Sequence, residues 1–264
     1  MSGTAQLWDV ASATKVAVLT TSGSLPNAIF SPDGHLVLTA TNDNVARLLK
    51  TDGTEIKALA GHQNRISTAA FSPDGVWVAS GSLDSTARIW SVKYGNVIAT
   101  LKGHTDALTQ VAFSQDSQSL LTASRDGTVR IWNVSDGKQK AILRGHLGVV
   151  STAQFSPNGF YVVTASSQDR TVRLWAAQSG RQIEVLASLE DKANRPVFTR
   201  AAFNSDGTRI VIVSAEEGIR IVRTFQTPQQ LIDYAKSIVP RELTPCERRR
   251  FFLPVEGNVG ECPG

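Results

Sequence analysis

Apolar and polar residues alternate on either side of Asp126 and Gly127 in the stretch TASRDGTVRIWNV, Thr122 to Val134. A period of two is that of a half-buried strand. An Asp-Gly pair between two such runs reads as a hairpin turn, because glycine tolerates the positive φ a tight turn requires. Nearly the same phrase occurs earlier as ASGSLDSTARIWSV and later as TASSQDRTVRLWAA. An isolated hairpin is only marginally stable, so the recurrence has to supply the rest.

The phrase belongs to a longer unit anchored by a phenylalanine before a turn: FSPDG at Phe30 and Phe71, FSQDS at Phe113, FSPNG at Phe155 and FNSDG at Phe203, spaced 41, 42, 42 and 48 residues apart. Each anchor leads into a short alternating or apolar run, then a turn, then a second run ending in Trp90, Trp132, Trp175, or Leu49 and Val222 in the outer copies. A β-type segment such as ALTQVAF precedes each anchor, and another such as KAILRGH lies further back. Four strands per unit, with no period of 3.6 inside any unit, predict an all-β fold of the β-propeller type. Five full four-stranded repeats follow a partial one, because GTAQLWDV matches only the end of a unit. The propeller is placed in residues 1–224 and read as part of a larger ring, or as a five-bladed ring closed by pairing of Lys15–Thr20 with Ile219–Arg223.

Gly61-His62, Gly103-His104 and Gly145-His146 each stand about 28 residues before one of the three tryptophans, and LWDV, Leu7 to Val10, holds a Trp-Asp pair. In these features the chain resembles the WD-repeat family over roughly residues 4–224. The resemblance carries over a polar constellation: His62, Ser80, Asp84 and Trp90; His104, Thr122, Asp126 and Trp132; and His146, Thr164, Asp169 and Trp175. In the family these residues form a hydrogen-bond chain tying the hairpin to the preceding loop. Histidine, hydroxyl and aspartate also make hydrolase triads, but a set that recurs in every unit reads as structure. The outer copies depart from it. The first has Thr21 and Leu49 for histidine and tryptophan and keeps Thr39 and Asp43, whereas the fifth lacks the histidine and has Glu216 and Val222. Those units are expected to be the less stable ones.

The resemblance also implies where partners bind, on the edge carrying the histidine loop and the hairpin aspartate. The residue before the aspartate and those three and five after the histidine are Arg65, Ser67 and Leu83; Ala107, Thr109 and Arg125; and Val149, Ser151 and Gln168, with Asn42 nearest in the first copy. Arg65, Ser67, Leu83, Arg125, Gln168 and Asn42 are the contact candidates, since arginine and apolar anchors are favoured at binding hot spots. The loop Ser188–Pro196, lengthened in the fifth copy, is a second place for contact.

Composition narrows the chemistry. Of the four histidines, three are committed to the repeats and His35 lies at a turn, and the two cysteines, Cys246 and Cys262, both fall near the C-terminus. With no phosphate-binding glycine loop and no metal-type Cys/His spacing, no catalytic residue, metal or cofactor is expected. The net charge of +4 comes from residues 1–224, because residues 225–264 carry five basic and five acidic side chains. Spread thinly, it argues against a nucleic-acid partner. The N-terminus lacks a signal-peptide pattern and no window is apolar enough to span a membrane, so the chain is read as cytoplasmic.

Residues 225–253 offer two helix starts, Thr227-Pro228 with Gln230 and Thr244-Pro245 with Glu247, and so predict a short helical tail. Residues 254–264 are read as disordered, and Arg248–Arg250 as a solvated charge run. The tail resembles the ending of large bacterial multidomain WD-repeat proteins, in which the propeller follows a nucleotide-binding or protease-like domain. Two functions are therefore carried forward. One is a non-catalytic scaffold that binds other proteins or peptides; the alternative is a sensor or regulatory lobe of such a larger bacterial protein. The sequence fixes no oligomeric state.

Overall fold

The computed structural model describes residues 3–21, 27–40, 43–188, 198–214 and 218–224, together with Gln230, Asp233, Tyr234 and Ser237. The chain divides into two compact units, Met1–Arg223 and Thr224–Gly264. In the first unit, β1 (Gly3–Asp9) and β2 (Thr14–Thr21) pair as a two-stranded sheet. Four antiparallel four-stranded sheets follow. Blade one is β3 (Asn27–Phe30), β4 (Leu36–Ala40), β5 (Val45–Lys50) and β6 (Glu55–Ala60), and blade two is β7 (Ile66–Phe71), β8 (Trp77–Ser82), β9 (Ala87–Ser91) and β10 (Val97–Leu101). Blade three is β11 (Leu108–Phe113), β12 (Ser119–Ser124), β13 (Thr128–Asn133) and β14 (Gln139–Arg144), and blade four is β15 (Val150–Phe155), β16 (Tyr161–Ser166), β17 (Thr171–Ala176) and β18 (Gln182–Ser188). Blade five has three strands, β19 (Phe198–Phe203), β20 (Arg209–Ser214) and β21 (Gly218–Arg223).

Repeats and sheets divide the strands differently here: counted from the strand before each entry strand to the tryptophan position, the five repeats hold four strands each, β2–β5 through β18–β21, after the partial repeat β1, whereas four of the sheets are four-stranded and the fifth has three described strands. One expectation changes. The strand around Lys15–Thr20 does not close a ring with Ile219–Arg223: it lies in β2 and pairs with β1, in a register running from Gly3 opposite Thr21 to Asp9 opposite Thr14. Local pairing with the adjacent strand needs only a short turn, whereas pairing with β21 would close a loop across the whole chain. Of the predicted helical tail, Gln230, Asp233, Tyr234 and Ser237 are described, in helical conformation; the rest, with the terminal segment 254–264, lies outside the described residues.

The turn after each anchoring phenylalanine is locked by its own side chains. In blade two, Ser72 Oγ donates to Asp74 Oδ1 at 2.5 Å and accepts the backbone N–H of Trp77 at 2.9 Å. Ser31 with Asp33, Ser114 with Asp116 and Ser156 with Asn158 repeat this in the neighbouring blades. Short polar side chains that satisfy nearby backbone groups stabilise such turns and fix where the next strand starts.

Inner strands β7, β11, β15 and β19 lie side by side in successive blades, and the core sits between sheets. The middle junction is representative. Leu121, Ala123, Val129 and Ile131 of blade three pack with Val150, Ala153, Phe155 and Trp175 of blade four. Neither sheet could bury its apolar face alone, so each repeat depends on its neighbours.

Candidate functional site

Each of blades two to four contains one chain of side-chain hydrogen bonds, and blade three shows how the strands position it. Thr122 on β12 and Trp132 on β13 are held by pairing of the two strands, with Trp132 opposite Leu120. From there Trp132 Nε1 donates to Thr122 Oγ1 at 2.9 Å, and Thr122 Oγ1 lies 2.8 Å from His104 Nε2. His104 Nδ1 lies 2.8 Å from Asp126 Oδ2, which also accepts the Thr105 backbone N–H at 3.1 Å. Blade two repeats it with Trp90, Ser80, His62 and Asp84 at 2.8, 2.8 and 2.9 Å. Blade four does so with Trp175, Thr164, His146 and Asp169 at 2.8, 2.7 and 2.8 Å. An indole N–H can only donate and a carboxylate can only accept, so the chain has one direction. That assigns the imidazole proton to Nδ1 and leaves Nε2 to accept from the hydroxyl.

The glycine before each histidine serves the same loop. Gly145 has φ +157°, and a Cβ there would lie 2.6 Å from Arg173 Nη1 and 3.1 Å from Trp175 Cη2. In blade two the corresponding arginine, Arg88, donates from Nη2 to the Gly61 carbonyl at 2.8 Å. A side chain at that glycine would displace the guanidinium that closes the loop.

The contact candidates divide into two groups. The Leu83 N–H donates to the Arg65 carbonyl at 2.9 Å, and the Arg125 N–H to the Ala107 carbonyl at 2.9 Å, so the residue before the aspartate and the third after the histidine sit side by side. Arg65 and Arg125 are exposed and Leu83 is half-buried. Among the described residues neither guanidinium makes a hydrogen bond or ion pair. Gln168 is exposed but engaged, its Oε1 accepting the Val149 N–H at 3.0 Å.

The fifth position after the histidine is half-buried and its hydroxyl is engaged. Strand pairing skips a residue between Ile66 and Thr68, between Leu108 and Gln110, and between Val150 and Thr152, which makes Ser67, Thr109 and Ser151 bulge residues. A bulge leaves its extra residue out of the ladder and re-aims its side chain. Ser67 Oγ accordingly donates to the Leu108 carbonyl of blade three at 2.6 Å, Thr109 Oγ1 to the Val150 carbonyl of blade four at 2.6 Å, and Ser151 Oγ to the Ala165 carbonyl at 3.0 Å. Ala107 is buried as well. Asn42 lies outside the described residues, as does the loop Ser188–Pro196 beyond Ser188 itself.

The WD domain, G-beta repeat family matches residues 53–91, 95–133 and 137–176. Three segments of the chain match the WD repeat. Each matched segment runs from the outer strand of one blade through three strands of the next, so a WD repeat straddles two sheets and its histidine loop is the covalent link between them. WD repeats generally mediate contacts with other proteins or peptides. No curated protein matches the chain significantly.

Electrostatics of the WD repeats fit the hydrogen-bond direction. Burial alone would raise the Asp84 carboxyl, but donation from the Thr86 hydroxyl, the Gln63 backbone and His62 outweighs it and brings it down to about 2. In Asp126 and Asp169 the same opposition, with histidine as the largest lowering contact, leaves both below the usual carboxylate range. Burial, the largest influence on His62, lowers it against the raising effect of Asp84. A neutral imidazole facing a charged carboxylate is the state the geometry requires.

Asp84, His62 and Ser80 thus have the connectivity of a hydrolase triad. The Ser80 and Thr122 side chains are nevertheless 0 % exposed, and each oxygen already accepts from a tryptophan. A buried hydroxyl with both its proton and an acceptor site committed offers no nucleophile to a substrate. Among the described residues no group of three or more His, Cys, Asp or Glu could hold a metal ion, and no helix is long and apolar enough to cross a membrane.

Three features escaped the sequence reading. Thr86, Thr128 and Thr171 occupy the second oxygen of each aspartate at 2.6, 2.7 and 2.8 Å; the signal was the recurring D-x-T in LDST, RDGT and QDRT. In blade one Arg47 takes over Asp43, with Nη2 2.5 Å from Oδ2. At the opposite end of the strands, the turns of blades three to five frame a cleft of about 600 Å³ lined by Phe113, Gln154, Phe155 and Phe203.

Proposed function

We propose that the chain is a non-catalytic protein–protein interaction module that presents Arg65, Leu83 and Arg125 to a partner protein or peptide, with Gln168 at the margin. The observation that carries this reading is the pairing of loop and hairpin backbones at 2.9 Å in blades two and three, which puts exposed Arg65 beside half-buried Leu83 in one blade and exposed Arg125 at the equivalent place in the next. Arginine and apolar anchors of this kind dominate binding energy at interfaces. Two exposed cations, one of them beside an apolar side chain, fit an acidic, partly apolar surface. The buried, fully engaged histidine sets support a framework role for the rest of the blade and speak against catalysis.

The test is capture of partners from host lysate on the immobilised full chain. The combined variant Arg65→Ala, Leu83→Ala, Arg125→Ala is expected to lose proteins that the Lys138→Ala control retains. Lys138 is the suitable control because it is exposed, whereas Lys140 is anchored on Ser119 Oγ at 2.9 Å. A folded triple variant that keeps every partner overturns the reading.

A further inference from the structure

The junction between neighbouring sheets is built from the same two halves each time. Ala46 and Leu48 on β5 pack with Trp90 of the next blade; Ala87 and Ile89 on β9 pack with Trp132; and Val129 and Ile131 on β13 pack with Trp175. At the outer junctions the tryptophan is replaced but the arrangement holds. Ala5 and Leu7 on β1 pack with Leu49, and Val172 and Leu174 on β17 with Val222. One half is thus a pair of apolar residues two apart on the third strand of a blade, which share a face because side chains alternate along a strand. The other half is the large apolar residue at the end of the third strand one blade on.

Among the described residues each half also appears once without its complement. On β21 the pair is Ile219 and Ile221, 71 % and 59 % exposed. The equivalent Val129 and Ile131 are 1 % and 2 % exposed. On β1 the large residue is Trp8, 57 % exposed where Trp90, Trp132 and Trp175 are at most 3 % exposed. One end of the row of sheets therefore displays the pair, and the other end displays the residue that covers such a pair at every internal junction.

We propose that two copies of the chain associate head to tail, Trp8 of one seating against Ile219 and Ile221 of the next. The occupant follows from continuity with the internal junction: the surface that fits β21 is one this chain already carries, on β1. Such a contact is heterologous, joining two different surfaces, so it grows into a closed ring or an open row and does not stop at a symmetric pair.

Sedimentation velocity on the full chain over a wide concentration range tests this, with two variants that each block one end at exposed positions: Trp8→Arg, and Ile219→Lys with Ile221→Lys. The unsubstituted chain is expected to form assemblies that grow with concentration, and each variant alone to sediment as a monomer. A mixture of the two variants is expected to form a capped one-to-one dimer, because each still carries the half that the other has lost. The mixture also guards against misfolding, since a misfolded variant would not restore a defined dimer. The proposal is overturned if the unsubstituted chain stays monomeric throughout, if either variant alone associates as the unsubstituted chain does, or if the mixture remains monomeric.

Discussion

Thr39 and Leu49 occupy the same positions in blade one as Thr122 and Trp132 in blade three, but no hydrogen bond joins them. Thr39 Oγ1 is buried without a partner among the described residues, whereas Thr122 Oγ1 accepts from Trp132 and meets His104. A buried hydroxyl without a partner costs stability, and one within a completed chain repays its burial. Thr122→Val is therefore expected to lower stability by about 1–3 kcal/mol in a urea melt, and Thr39→Val to leave it unchanged or raise it. Equal losses in the two variants would contradict the account.

The aspartates divide in the same way. Asp126 binds His104, Thr128 and two backbone N–H groups, while Asp43 is held by a partly exposed Arg47. Asp126→Ala is expected to cost about 1–3 kcal/mol, because it leaves buried donors unmatched. Asp43→Ala removes a pair nearer to solvent, for which less than about 1 kcal/mol is expected. Chemical denaturation of both variants decides the matter, and an Asp43 effect as large as that of Asp126 would count against it.

Acid should weaken the fold in two stages. His62 and the carboxyls of Asp84, Asp126 and Asp169 are all lowered in the folded state, so the unfolded chain binds more protons and stability falls as pH falls. The His62 contribution is lost as pH drops below about 6.5, the unfolded value, and the carboxylate contributions below about 4. Melting temperatures measured from pH 8 to pH 3 should show both stages, and His62→Gln should remove the first. A profile flat down to pH 3 would exclude the linkage.

Two glycines of blade four separate crowding from backbone strain. Gly145 and Gly159 both have positive φ, but a Cβ on Gly159 meets nothing within 4 Å, whereas one on Gly145 meets Arg173 and Trp175. Gly159→Ala should cost only the backbone penalty of about 1 kcal/mol. Gly145→Ala should cost more, by about 1–2 kcal/mol, since the arginine must move as well. Thermal melts of the two variants test the order.

Much of this was legible because repetition reveals spacing. The offsets linking His104, Thr122, Asp126 and Trp132 recur in three blades, and the turn after each phenylalanine carries its own signal in FSPDG. What spacing does not give is phase. Ser67, Thr109 and Ser151 were read as contact positions from spacing alone, which does not show that a bulge at each commits its hydroxyl to a backbone carbonyl. The Arg47–Asp43 pair was hidden for a different reason: every full blade has an arginine there, and beside His146 Arg173 comes only to 3.5 Å of Asp169, whereas in blade one, where no histidine stands, Arg47 closes to 2.5 Å of Asp43. What the repeat count does not give is how strands divide into sheets: the strand that opens each repeat is the outer strand of the sheet before it, so the fifth sheet has three described strands.

The bulge hydroxyls have a mechanical consequence. Ser67 and Thr109 each tie the entry strand of one blade to a backbone carbonyl of the blade after it, like rivets placed where each plate overlaps the next. A blade can let go of its neighbour only after its own entry strand has shifted. Opening should therefore travel inward from the two ends, and amide exchange should be slowest in blades two and three and quicken toward β1 and β21.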